Sequence, residues 1–147
     1  MIEDIIKEKT SADHLLYVSL KYTKTCDVIL NLIRRWSIMI DVAFQALFER
    51  AKKKRKISKI PTIPKKRIEK LRELFKKQES IMQTIDLYLF FKKIEDLERI
   101  RESEFRKNVT LRIIDRGQEI EINLDKLKEY HLLLERFISD VKQFLLK

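Results

Sequence analysis

Two runs of cations carry the strongest chemical signal in this chain: Lys52-Lys53-Lys54-Arg55-Lys56 and, beyond an Ile/Pro-containing link, Lys65-Lys66-Arg67. From Arg50 to Lys77, fourteen basic residues stand against only Glu69 and Glu73, which makes this stretch +12 and leaves the remainder at −2 of the total +10. Uniform basicity would be a solubility feature, whereas a single block is a located field that attracts polyanions. Phosphate is the anion such a cluster of ammonium and guanidinium groups suits best. Within the stretch the only aromatic is Phe75, so rings for stacking on bases are missing. The expectation is contact with the backbone of a nucleic acid, DNA or RNA, with little reading of sequence. An acidic protein partner is the competing reading. A membrane surface is disfavoured because the stretch lacks an aromatic-rich apolar face.

Other residue types that do chemistry are few. His14 and His131 are the only histidines and lie far apart in sequence; both read as structural or surface groups, although a ribonuclease using His131 is a third functional reading. Cys26, the only cysteine, sits beside Ile29 and reads as a small hydrophobe. It also rules out an internal disulfide or multi-Cys zinc site, which points to a reducing, cytoplasmic setting. Glu95, Asp96, Glu98 and Glu102 are interleaved with Lys92, Lys93, Arg99 and Arg101 and read as a solvated, ion-paired face rather than a metal site. The expectation is therefore no catalytic residue, no metal and no cofactor. Gly117 is the sole glycine, which excludes the glycine-rich phosphate loops of Rossmann and P-loop proteins.

The elements that must hold the basic block follow from length, composition and periodicity. A chain of 147 residues, 44% hydrophobic and 38% charged, is sized for one domain, residues 1–147, with a packed core. Abundant Ile, Leu, Lys, Arg and Glu with little glycine is a thermophile-like composition. Residues Met1–Thr10 are too charged for a secretory leader. Asp27, Arg34, Arg35 and Asp41 interrupt the most apolar stretch, Cys26–Phe48, and argue against a membrane span. Ser11 is read as the N-cap of a helix from Ala12 towards Lys54, and a break at Thr23–Thr25 would make it two. Its two apolar rows, one through Tyr22, Cys26, Ile29, Ile33, Trp36, Ile40, Phe44 and Leu47 and the other through Val28, Leu32, Met39, Val42 and Ala46, leave a thin polar stripe. Such a helix is central to a bundle or buried by a second subunit, and a homodimer is expected.

Pro61 and Pro64 force an extended link. A second helix is read from about Lys65 to Glu104, with Glu95/Arg99 and Glu102/Arg106 as i,i+4 pairs. The two helices would form a hairpin over residues 11–104, its basic tip at 50–77. Over 108–147 the period changes. Val109, Leu111 and Ile113, then Ile120, Ile122 and Leu124, alternate with polar residues around Asp115-Arg116-Gly117, which predicts a β-hairpin at about 109–122. A final helix runs from about Asp125 to Leu146. The fold class expected is mainly α: a long-helix antiparallel bundle with one β-hairpin and a C-terminal helix.

The helix arrangement over Ser11–Glu104 and the segment Val42-Ala-Phe-Gln-Ala-Leu-Phe48 resemble the HEPN superfamily of small helical domains, in which an Ala/Leu-rich stretch ends the second helix. That family's nuclease motif pairs an arginine with a histidine four to six residues later. No arginine stands in that position before His14 or His131. The resemblance thus implies a non-catalytic relative that dimerises and acts alongside nucleic acids or nucleotidyltransferases.

Overall fold

The computed structural model describes residues 1–147 and is mainly α, with one small antiparallel sheet. Helix α1 (Ile2–His14) continues through a π-helical turn (Leu15–Ser19) into the short α2 (Leu20–Tyr22). Ser11 is therefore inside a helix rather than capping one. Its hydroxyl donates back to the Lys7 carbonyl at 3.3 Å, which satisfies it without ending the helix. The chain breaks at Thr23–Thr25, where β-branched residues flank Lys24. Thr25 then caps α3 (Cys26–Lys53), its Oγ1 accepting from the Val28 amide at 3.3 Å.

Both apolar rows of α3 are covered within the one chain, Val28 and Val42 only in part, by α1, α5 (Glu79–Lys93), α6 (Leu124–Leu146) and the sheet, whereas Tyr22, read as the start of the first row, lies before the break and is 78% exposed. Trp36 lies at the centre, stacked on Phe91 with ring centroids 6.0 Å apart and edge-on to Tyr130 at 6.3 Å. Asn31 and Arg34 remain exposed on the thin polar stripe.

The second long helix is the main correction. It is split into α4 (Pro64–Leu74) and α5 by a turn over residues 75–78, and α5 gives way to a 3-10 turn (Ile94–Asp96). Phe75 is buried, and the backbone leaves the helical region at that position (φ −119°, ψ 25°). Residues read as the end of the helix form a strand, β1 (Glu98–Glu102), paired antiparallel with β2 (Thr110–Asp115). Glu95 consequently bonds Arg34 at 2.9 Å, and Glu102 bonds Arg112 at 2.9 Å, in place of the i,i+4 partners. The simple αα-hairpin is absent, since α4 is short and packs chiefly on α5.

The hairpin over 109–122 is present as β2 and β3 (Gln118–Ile122), making the sheet order β1-β2-β3. Arg116 and Gly117 both have positive φ, 53° and 79°, the signature of a type I′ turn. Val109, Leu111, Ile113 and Ile122 are fully buried beneath the sheet. On the outer face Arg112 bridges Glu102, Glu119 and Glu121 from the two neighbouring strands. Asn123 caps α6 by accepting from the Lys126 amide at 2.9 Å. No helix is long and apolar enough to cross a membrane.

Candidate functional site

The basic block is built at the end of α3. Lys56 N–H donates to the Ala51 carbonyl at 2.9 Å and Arg55 N–H to the Lys52 carbonyl at 3.0 Å, which together make a Schellman ending. Arg55 holds the left-handed position (φ 61°), where glycine has no steric penalty. Buried Ile57 then anchors the link. Pro64 opens α4 as its first residue, and no side chain caps that helix. The amides of Lys65 and Lys66 therefore lie at the positive end of a helix dipole beneath two exposed ammonium groups, an arrangement that acidic residues would normally relieve.

Most of these cations face water without a counterion. Only Lys70 and Arg72 of the segment meet carboxylates, Glu73 at 3.3 Å and Asp86 at 2.7 Å. Lys52, Lys53, Arg55, Lys56, Lys65 and Lys66 are exposed, and Lys54 is partly so. Arg67 behaves differently. Its guanidinium donates to the Pro61 carbonyl (3.1 Å) and to Gln45 Oε1 (3.2 Å) and lies 4.8 Å from the Phe48 ring centroid. It fastens the first turn of α4 onto α3, less than two turns before Lys52, and so keeps the two cationic runs at one end of the molecule.

Distant sequence adds to this end. The ammonium groups of Lys54 and Lys56 lie 4.5 and 5.3 Å from the centroid of Phe144, which is itself edge-on to Phe75 at 5.0 Å. Partial desolvation, then the like charges of Arg50, Lys56 and Lys147, push the Lys54 pKa below its ordinary value. Arg50 Nε is buried without an acceptor. On another side, Met1, Glu49, Lys52, Lys53 and Ile60 line an open groove of about 730 Å³. Sequence reasoning missed Phe144, Lys147 and Met1 because only the tertiary fold brings both chain ends to the basic block.

The remaining sequence candidates are dispersed. His14 is exposed, and Cys26 is buried, its thiol donating to the Thr110 carbonyl at 3.4 Å. Burial first, then the Glu104 carboxylate, push the Cys26 pKa up to about 11, so it is a poor nucleophile. Glu95, Asp96 and Glu98 are exposed, Glu102 is partly so, and Glu95 and Glu102 pair with arginines. His131 alone sits in a cluster, with Asp13, Glu135 and Lys9. No protein-family model matches the chain, and neither curated proteins nor solved structures give a significant match.

Proposed function

We propose that the protein binds nucleic acid through phosphate contacts at its basic end, without catalysis and with low sequence specificity. One observation supports this reading above the others: from Lys52 to Lys66 the cations project from two helix ends and none forms an ion pair, the one acidic neighbour being Glu49 in the groove beside Lys52 and Lys53. Free amides at the start of α4 add oriented donors that suit a phosphate oxygen. Phe144, the one ring that α6 brings to this end, is covered by Lys54 and Lys56, which favours backbone contact over base stacking.

Fluorescence anisotropy with labelled duplex DNA, single-stranded DNA and duplex RNA tests this across a salt series. Contact with about five phosphates gives a slope of log K against log salt near −4.5 on duplex DNA. Replacing Lys52, Lys53, Lys54, Arg55, Lys56, Lys65 and Lys66 by glutamine should abolish most of that slope and weaken binding by about two orders of magnitude at moderate salt. Unchanged affinity in that variant would refute the reading. Preferential capture of an acidic protein over all three polymers would replace it with a docking role for the same surface.

A further inference from the structure

Roughly 20 Å back along α6 from Phe144, two helices converge on a second constellation. Asp13 in the last turn of α1, and His131 and Glu135 one turn apart on α6, bring one donor atom each to within 4.8 Å of one another. His131 Nε2 is 3.3 Å from Glu135 Oε1, and its Nδ1 is 3.6 Å from Asp13 Oδ1. Between the carboxylates sits the Lys9 ammonium, 2.7 Å from Asp13 Oδ2 and 2.7 Å from Glu135 Oε1. Burial opposes that charge, but the two carboxylates outweigh it and hold the Lys9 pKa above its ordinary value. The imidazole is only 13% exposed. Tyr17 packs edge-on against it, with centroids 5.4 Å apart. Tyr17 belongs to the π-helical turn Leu15–Ser19, which begins two residues after Asp13, and such turns concentrate at functional sites.

We propose that Asp13, His131 and Glu135 bind a divalent cation of the zinc type, in competition with the Lys9 ammonium that now bridges the two carboxylates. The ligands would be Asp13 Oδ2, Glu135 Oε1 and His131 Nε2, with water as a fourth. Tetrahedral bonds of about 2.0–2.2 Å separate ligand atoms by roughly 3.3–3.5 Å, and the Nε2–Oε1 spacing already matches. An imidazole among the ligands selects zinc or cobalt over calcium and magnesium. Lys9 is then a built-in competitor. Its flexible stem lets the ammonium neutralise the carboxylates when metal is scarce and swing into water when metal enters.

Cobalt(II) titration of the chelator-treated full chain tests this, followed by the visible bands of tetrahedral cobalt and by their loss on adding zinc. One equivalent should bind, and Lys9→Ala or Lys9→Met should tighten binding by at least about tenfold, the scale on which one neighbouring group alters metal affinity. His131→Ala in the Lys9→Ala background should remove the bands, and His14→Ala should leave them intact. Bands that survive His131→Ala, or no tightening in either Lys9 variant, would overturn the proposal. The unmutated chain gives an independent readout by NMR: stoichiometric cobalt should broaden or shift the His131 ring protons far more than those of His14, which adjoins the Asp13 ligand without binding the metal, and equal effects or none would count against it.

Discussion

Arg55 occupies a backbone position that glycine would occupy more comfortably, and its charge is the only evident return for that strain. Arg55→Gly should raise stability by about 1 kcal/mol, read as a higher urea midpoint at unchanged m-value. The same change should reduce the magnitude of the salt slope of nucleic-acid binding by about 0.9, the contribution of one phosphate contact on duplex DNA. Stability and affinity moving in opposite directions is the expected mark of a residue kept for its charge. Cys26 gives a second residue-scale test. Its folded pKa is raised from 9.0 to about 11, so the native state holds the thiol proton more tightly than the unfolded chain does. The associated stability is present below pH 9 and is lost as pH rises through 11. The difference in urea midpoint between the parent and Cys26→Ala should therefore shrink over that interval. A constant difference would show that the thiol does not titrate as its burial implies.

At the level of elements, the two ends of α4's first turn have separable roles. Arg67→Ala removes two hydrogen bonds and a ring contact and should cost about 1–2 kcal/mol, with Arg67→Lys failing to restore it because an ammonium lacks the planar fork. Lys65→Ala with Lys66→Ala should leave stability within about 0.5 kcal/mol, or raise it slightly through the helix dipole, while weakening polymer binding. Thermal melts beside anisotropy distinguish the two outcomes. The sequence displayed some elements better than others, for physical reasons. α3 was visible because its apolar rows persist for many turns, and the β-hairpin because strict alternation brackets Arg116-Gly117. β1 was hidden: Glu98-Arg-Ile-Arg-Glu102 has no apolar alternation, and its conformation follows from pairing with β2. The turn at Phe75 was equally hidden, because Phe75 keeps helical spacing with Leu71 and no glycine or proline in residues 75–78 marks the end of the helix.

For the whole molecule, the excess charge was fully legible in sequence, whereas its setting was not. Periodicity located Lys52–Lys56 and Lys65–Arg67, yet it gave no sign that Arg67 turns inward or that α6 returns Phe144 and Lys147 to the same end. The His131 cluster was missed for a related reason. Lys9/Asp13 and His131/Glu135 are each an i,i+4 pair readable on its own helix, but the cluster exists only because the C-terminal part of α1 meets α6 there.

Met1 borders the groove beside Lys52 and Lys53, and Lys147 lies close enough to Lys54 to perturb it. Any peptide appended at either position therefore emerges next to the basic surface proposed to bind polyanions. An acidic epitope fused there is tethered at millimolar effective concentration and acts as a resident decoy. Such a fusion should show weaker polynucleotide binding than the same protein after proteolytic removal of the epitope, with the deficit vanishing at high salt.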